Sequence, residues 1–350
     1  MTKSNLLTTP YIKKYFYEEI KTMKDIFKIN LQLFAEMNTN TTLDSGLSVE
    51  NKTYYDMTLI DEAQANLVHD QFAQKRPIPK NGGKKIEFRK FASLPKALTP
   101  LTEGVTPDGK KLSVTSVEAE VAQYGDYIVQ SDVLELTSID NTIVEATKIL
   151  GRQAGLTLDT ITRNIMQSGT NVYYCPKADG TAVTSRAGLD DTCKLTVDVV
   201  NRVVALLKKN NAPKINGDYV AIIHPLVAYD LMSDERWIDA HKYAQPDAIY
   251  NGELGKIGGV RFIESSEAKI YDGGVFGCLF LADGAYGVTE ITGGGLTTII
   301  KQKGSAGTAD PLDQRSSIGW KAIKTAEILV EPYMVRVECK SALSDKAEVN

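Results

Sequence analysis

The chain has 350 residues, of which 43% are hydrophobic and 24% are charged, a balance typical of a globular protein with two or three structural modules. Forty basic and 44 acidic residues give a net charge of −4, which argues against a protein whose main task is to grip nucleic-acid phosphates. There is no CxxC pair, no apolar run of the ~18 residues that span a bilayer, and no signal-peptide pattern. These features argue against a zinc site, a disulfide framework, a membrane span and N-terminal export.

The N-terminal region carries an amphipathic pattern. Between residues 10 and 34, apolar residues recur at spacings of three and four, with lysines mostly on other faces, which predicts a basic helix. These apolar residues are Ile12, Phe16, Ile20, Met23 and Phe27. The helix could bind a membrane or a partner; we favour a terminal arm that orders on assembly, because chain ends are often mobile alone. Residues 38–52 predict a polar linker or extended arm, and residues 53–74 a further helix.

Two alternating runs predict a long two-stranded arm. Apolar and charged residues alternate over residues 84–91, and apolar residues take every second position over residues 117–121, which suits antiparallel strands. The apolar members of the two runs are Ile86, Phe88, Val117, Ala119 and Val121. The stretch between the runs is rich in proline and glycine and predicts an irregular tip. Because such an arm lacks a covered face, it is marginal alone and needs a neighbour.

A long helix and a shorter one are predicted next. An apolar stripe from Ser138 to about Ser168 predicts the longest helix of the chain, with Ser138 as N-cap and Gly169 at its end. Residues 170–194 predict a loop whose two adjacent carboxylates, Asp190 and Asp191, could suggest a metal. We favour a solvated turn, since no histidine lies nearby. Thr196 is predicted to cap a valine-rich helix that ends near residue 209.

The most structured stretch is residues 219–267. It predicts a buried strand at 219–223, a helix from Pro225 to about Met232 with His224 as its cap, a second helix that carries Trp237, a glycine-rich loop and a strand at 260–263. Further strands are predicted at 278–282 and 296–300. After a polar loop at 301–314, a period-two pattern continues to residue 339, and the charged tail 344–350 is expected to be frayed.

Motifs of catalysis are missing from the sequence. The three histidines, His69, His224 and His241, have no ligand spacing such as HExxH, and neither GxSxG nor GxxxxGK[ST] occurs. The glycines at 252, 255 and 258 are spaced unlike GxGxxG. The sequence therefore predicts no catalytic residue, no cofactor and no metal.

The segments 101–107, 124–132 and 224–264 resemble, in this order along the chain, the major capsid proteins of tailed bacteriophages, specifically the N-four-type family. The resemblance extends over roughly residues 45–340. Residues 23–35 resemble the usual start of these proteins, so we expect residues 1–22 to be an upstream extension preceding a start at Met23.

The resemblance implies an α+β fold, that of the Hong Kong ninety-seven phage capsid protein. It has an N-terminal arm, an extended β-hairpin loop, a peripheral domain with a spine helix, and an axial domain with a mixed sheet flanked by helices. The implied boundaries are 1–52 for the N-terminal arm, 53–83 for a helical segment of the peripheral domain, 84–125 for the extended loop, 126–194 for the peripheral domain with its spine helix at 138–168, 195–304 for the axial domain, 305–343 for returning strands of the peripheral domain, and 344–350 for the tail.

The function that the resemblance implies is assembly. Identical copies would form pentamers and hexamers of an icosahedral shell around double-stranded DNA, bound without sequence specificity and without a membrane. Portal, scaffolding and decoration proteins would be partners, and the shell would be built in the cytoplasm of the bacterial host. The residues expected at contacts between subunits are Ile86, Phe88, Glu103, Gly104, Thr106, Pro107, Val117, Val121, Gly252, Leu254, Gly255 and Gly259.

Two alternatives remain open at this point. An encapsulin-type compartment would share the fold and enclose an enzyme in place of DNA. A cytosolic α/β enzyme with the glycine-rich loop as its cofactor site would be a small oligomer with saturable ligand binding; the missing catalytic motifs argue against it.

Overall fold

Two β-sheets, one hairpin and one long helix make up most of the described chain. The computed structural model describes residues 57, 59–63, 67–91, 94–101, 103–106, 108–138, 142–244, 255–305 and 310–350, all within the unit Lys52–Asn350. The strands are β1 (Gln74–Lys75), β2 (Lys85–Phe91), β3 (Val114–Glu120), β4 (Ala122–Ser131), β5 (Val172–Tyr174), β6 (Tyr219–Ile223), β7 (Lys256–Ile257), β8 (Val260–Glu264), β9 (Ile270–Tyr271), β10 (Val275–Leu281), β11 (Tyr286–Glu290), β12 (Thr297–Lys301), β13 (Arg315–Ile328) and β14 (Met334–Cys339). The labelled helices are α1 (Asp132–Thr137), α2 (Thr142–Gln167), α3 (Val197–Lys209), α4 (Pro225–Met232) and α5 (Glu235–Ala244). The predictions for residues 10–34, for 38–52 and for a start at Met23 lie outside the described residues.

The seven-stranded sheet carries the largest core. Its order is β5-β14-β10-β6-β8-β7, and β9 also pairs with β10. All side chains of β6 and β10 are buried, as expected for strands covered on both faces. One face, with Ala221 and Phe280, packs against α3 and α4, whereas the other face, with Ile222 and Leu281, packs against Met166 near the end of α2.

The five-stranded sheet is built around β13. β11 and β12 pair with one edge of this strand, and β4 pairs with the other over ten residues. Side chains of β13 on one face, Trp320 among them, pack against Leu150 and Leu158 of α2. The helix is 26 residues long, which corresponds to about 39 Å at ~1.5 Å per residue, and it runs from this sheet to the other. Gly151 allows α2 to pack closely against residue 59: a Cβ on Gly151 would lie 2.8 Å from the carbonyl oxygen of Leu59.

Buried charged residues connect α2 to the turn at His69 and Asp70 and to β13. The Asp159 carboxylate accepts a hydrogen bond from the His69 backbone amide at 2.7 Å and lies 2.6 Å from His69 Nδ1. Asp70 accepts the Thr162 hydroxyl hydrogen bond at 2.7 Å and pairs with the Lys324 ammonium group. Buried charges need such partners, because an unpaired charge in the interior costs several kcal/mol, about 3–5 in typical cases.

Most of the predicted elements are confirmed. The arm strands, the strand at 219–223, the helices that begin after Thr196 and His224, and the strands at 260–263, 278–282 and 296–300 are all present. Both caps are confirmed as well. The Thr196 hydroxyl accepts the Val199 amide, and His224 Nδ1 accepts the Leu226 amide at 3.1 Å.

The structure differs from the local predictions at several points. Ser138 is the C-cap of α1 and so does not begin the long helix, which begins at Thr142. The predicted helix at 53–74 does not extend over residues 67–73, where the chain forms turns before β1. The glycine-rich loop contains β7, and β11 was not predicted. The tail is held in place, because the Ile270 amide donates to the Asn350 side chain at 3.0 Å.

The sheets also divide the chain differently from the expected domain boundaries. β11 and β12 lie inside the range 195–304 expected for the axial domain, yet they pair with β13 in the five-stranded sheet. β14 lies inside 305–343, expected for the peripheral domain, yet it pairs with β10 in the seven-stranded sheet. The chain therefore passes from the seven-stranded sheet to the five-stranded sheet near residues 282–285, after β10. It returns near residues 329–333, and β14 then pairs with β10.

Candidate assembly surfaces

The predicted arm is a hairpin whose two strands pair along their full length. β2 and β3 are antiparallel, with Lys85 opposite Glu120 and Phe91 opposite Val114. Within the described residues this two-stranded sheet gains no third strand. The hairpin therefore depends on side-chain contacts for its stability.

The base of the hairpin is covered by its own subunit. Phe88 is only 4% exposed, and a Cβ on Gly287 of β11 would lie 3.1 Å from its ring. Ala119 and Val121 are buried as well. The subunit therefore covers these side chains itself, where the base of the hairpin lies against β11, and their contact with another subunit stays a prediction. The Arg76 guanidinium stacks over Phe88 at 5.8 Å, beside a cavity of about 300 Å³.

The tip of the arm has the opposite character. Residues 94–101, 103–106 and 108–113 form no strand, and almost every large apolar side chain in them points into solvent. Leu98 is 81% exposed and Leu101 is 77% exposed. The exposed apolar residues of the arm are Leu94, Leu98, Leu101, Val105, Leu112 and Val114. The sequence analysis did not predict these residues as contacts between subunits, although apolar residues inside a polar, proline-rich loop could have indicated them.

The predicted contact residues of the arm fall into three groups. Glu103, Gly104 and Thr106 are exposed at the tip, and Gly104 has a φ of 76°, a conformation that favours glycine. Ile86 and Val117 are half-buried at the base beside Phe88 and Val121. Pro107 lies outside the described residues. Their contacts with another subunit stay a prediction.

The second predicted contact region is a tight turn. Gly255, Gly258 and Gly259 have φ angles of 60°, 61° and 81°. Gly258 and Gly259 connect β7 to β8, and a two-residue hairpin turn with both φ angles positive strongly favours glycine. Lys256 pairs with Asp218 at 2.5 Å, and this hydrogen bond lowers the pKa of the Asp218 carboxyl group. Gly252 and Leu254 lie outside the described residues.

A further exposed apolar surface, which the sequence did not reveal, lies on the five-stranded sheet. We call it the β4–α1 surface; its members are Tyr127 and Val129 on one face of β4, together with Val133, Leu134 and Leu136 of α1. Tyr127 is 67% exposed, although it lies in the middle of a ten-residue strand. Exposed apolar patches of this kind mark interaction sites in soluble proteins.

The described part of the chain also has features that bear on metal binding, membrane insertion and cysteine chemistry. Among the described residues, no cluster of three or more His, Cys, Asp or Glu side chains could hold a metal. None of the described helices combines the length and apolarity of a membrane span. The four cysteines are free thiols and buried, and the hydrogen bond with Cys339 together with burial raises the pKa of the Cys278 thiol well above its usual value.

Solved phage capsids have a similar fold. The structure of the cyanophage Pam1 capsid asymmetric unit matches with a TM-score of 0.63 at 12% identity, over 80% of this chain and 92% of that chain. For the capsid of cyanophage P-SCSP1u the values are 0.61, 14%, 77% and 87%, and for the capsid of Ralstonia phage GP4 they are 0.58, 14%, 77% and 87%. At this identity the likeness establishes the fold. The α+β fold of phage major capsid proteins is thereby confirmed, and it defines a class of structural, shell-forming proteins.

The family is established by the sequence itself. The model of the phage capsid protein family matches residues 114–335, which is more than half of the chain. The chain therefore belongs to the phage capsid protein family, and its function is that of a major capsid protein in the icosahedral shell of a virion. Among curated proteins, none is significantly similar to it.

Proposed function

We propose that copies of this protein assemble as pentamers and hexamers, in which the extended loop of each subunit covers an apolar surface of a neighbour. The observation that carries this proposal is the exposed tip of the arm, with Leu98 and Leu101 more than three-quarters in solvent. Fully burying a large apolar side chain contributes about 1.5–3 kcal/mol. Several such residues on one arm supply enough to offset the cost of ordering it at an interface.

The two sheets would belong to the two domains of the capsid fold. The five-stranded sheet with α2 would form the peripheral domain, and the seven-stranded sheet with α3, α4 and α5 would form the axial domain that meets its copies around the capsomer axis. The turn at Gly255–Gly259 lies at the edge of the seven-stranded sheet, which supports its role as an axial contact. The finer assignment to the N-four-type family rests on the ordered resemblance of residues 101–107, 124–132 and 224–264.

The remaining partners belong to the same proposal. The shell would enclose double-stranded DNA without sequence-specific contacts, in keeping with the net charge of −4. Portal and scaffolding proteins would direct assembly in the host cytoplasm, decoration proteins would bind the finished shell, and the protein itself would act without catalysis. The encapsulin alternative predicts an enzyme inside the particle, and the cytosolic enzyme predicts a small oligomer; membership of the phage capsid family favours neither.

The decisive experiment compares folding with assembly. Deleting residues 96–110 removes most of the exposed tip, and we expect the melting temperature of the subunit to stay nearly unchanged, because the tip makes few contacts with its own body and shortening a surface loop changes closure entropy little. Shell yield, measured by electron microscopy and light scattering, should fall to background. Wild-type protein that forms no particles under capsid-like conditions would overturn the proposal.

Two matched double variants test whether the loss of particles comes from the apolar side chains and not from shortening the loop. Leu98→Ser with Leu101→Ser removes apolar contacts from the tip, whereas Thr99→Ser with Thr106→Ser changes neighbouring exposed positions without removing any large apolar group. We expect only the leucine variant to lose particles. Intact shells from the leucine variant would show that the tip has no role between subunits, and co-purified enzyme in place of DNA would favour the encapsulin alternative.

A further inference from the structure

The outer edge of β4 is a long strand edge without a partner. Residues 315–324 of β13 pair with one edge of β4 over all ten of its residues. No strand within the described ranges pairs with the other edge. Along that edge, the backbone amide and carbonyl groups of every second residue point away from β13. The amide of Tyr127, one of these residues, donates to the Asp126 carboxylate at 2.8 Å, and another strand could bind the remaining groups.

The sequence of β4 lacks the usual protection of a free edge. Proteins block exposed edges with lysine, proline, a bulge or a covering loop. β4 reads AQYGDYIVQS, with neither lysine, arginine nor proline, and its register with β13 runs without a bulge from Lys324–Ala122 to Arg315–Ser131. Asp126 is its one charge, and the Gln153 side chain donates to that carboxylate at 2.6 Å. A ten-residue edge without these protective features is suited to pairing with an added strand.

Both faces of the edge offer apolar contacts. Asp126 and Gln130 bond to Gln153 and Thr142 of α2, so even-numbered residues of β4 face this helix and odd-numbered ones face away. On the helix side, Ile128 is 38% exposed, and Ile149 lies on the same face of α2 as Thr142 and Gln153 and is 59% exposed. On the other side, Tyr127 and Val129 are exposed. An added strand would therefore be held by backbone bonds and by side chains above and below.

The chain itself contains a segment suited to this edge. Residues 108–113, DGKKLS, are free of proline and exposed throughout, and they take part in no strand. Leu112 is the apolar residue of this segment and lies between the polar residues Lys111 and Ser113, so one face of an added strand would carry it. The charges also match. Lys110 and Lys111 are basic, whereas residues 122–137 hold three acids and no base.

We propose that residues 108–113 of a second copy add as a strand to the free edge of β4. The proposal rests on the assembly proposed above and names the surface that receives the arm. The backbone ladder would supply affinity, and Leu112 would set the register, because a slip by one residue turns its side chain to the opposite face.

Hydrogen exchange tests the proposal without any substitution. Amide exchange is measured by mass spectrometry in unassembled subunits and in particles. Peptides from 122–131 and from 108–113 should both become protected on assembly, by about tenfold or more at the edge amides. Protection of 122–131 alone would overturn the proposal in favour of another occupant, such as residues 38–52 or an accessory protein. Particles in which neither peptide is protected would overturn it while leaving the shell proposal intact.

Paired cysteines test the register. Leu112→Cys is combined in turn with Tyr127→Cys, Ile128→Cys and Val129→Cys, all exposed positions, and with Tyr229→Cys on α4 as an exposed control. In particles, nonreducing electrophoresis should show intersubunit dimers either for the variants at 127 and 129 or for the variant at 128, because neighbouring residues of a strand face opposite sides. The control variant should show none. Crosslinking of all three β4 positions to a similar extent would show mere proximity and overturn strand addition. Absence of particles from the parent protein would instead count against the assembly proposal.

Discussion

The seven-stranded sheet and the arm differ in how completely a single subunit buries their apolar side chains. β6 and β10 bury every side chain between α3 and α4 on one side and α2 on the other. The tip of the arm and the β4–α1 surface leave large apolar side chains in solvent. The first region is complete within one subunit, whereas the second is complete only if another chain covers it. Stability should therefore depend on the first region and assembly on the second.

The largest effect is expected in the seven-stranded core. Phe280→Ala removes a fully buried ring and should lower the free energy of unfolding by about 3–5 kcal/mol. Leu98→Ala at the tip of the arm should change it by less than about 0.5 kcal/mol, because that side chain is exposed. Urea unfolding of unassembled subunits measures both values. A loss of similar size for Leu98→Ala would erase the contrast and assign the arm to the subunit core.

A second experiment concerns the buried pair beside α2. Lys324→Met leaves the Asp70 carboxylate without its ammonium partner in a largely buried position, so the free energy of unfolding should fall by about 3–5 kcal/mol. Changing both residues, Lys324→Met with Asp70→Leu, should recover much of this loss, since no buried charge is then unpaired. A double variant as unstable as the sum of the two single variants would show that the ion pair itself is not what matters there.

The smallest effect concerns pH. Burial lowers the pKa of His224, whose neutral Nδ1 caps α4. Because the folded-state pKa lies below the unfolded value, the contribution is fully present above about pH 6.5 and is lost as the pH falls below it. His224→Asn keeps a capping acceptor without this titration, so it should remove a pH dependence of about 1 kcal/mol between pH 7 and pH 5. Identical pH profiles of unfolding for the two proteins would contradict this role.

The sequence predicted local structure best where a single physical rule decides it. Thr196 and His224 mark helix starts because their side chains accept hydrogen bonds from free backbone amides of the first turn, and Pro225 suits that turn because it has no amide to satisfy. The continuous apolar run at 219–223 is typical of a central strand. Ser138 misled because it caps the end of α1, and the sequence does not distinguish a serine before a helix from one after it. β11 was missed because the glycines around it suggested a loop.

The candidate surfaces were predicted only in part, for a similar reason. Alternation in residues 84–91 and 117–121 predicted the hairpin, but burial of Phe88 against Gly287 depends on where β11 lies, some two hundred residues further along the chain. The free edge of β4 exists only because β13 occupies one side and nothing in the described chain occupies the other. Which apolar residues remain exposed is thus a property of tertiary contacts and not of the period of the sequence.

The sequence alone determined the strands of the arm, the strand at 219–223 and the capped starts of α3 and α4, because short-range periodicity, capping and turn chemistry act over a few residues. It also carried the resemblance to tailed-phage capsid proteins, which implied the α+β fold. Only the tertiary structure decided that β14 joins β10 in the seven-stranded sheet while β11 and β12 join β13, and that the base of the arm is closed while its tip and β4 are open. Strand pairing and burial join residues that are far apart in the sequence, and no local pattern specifies which distant partner a strand will find.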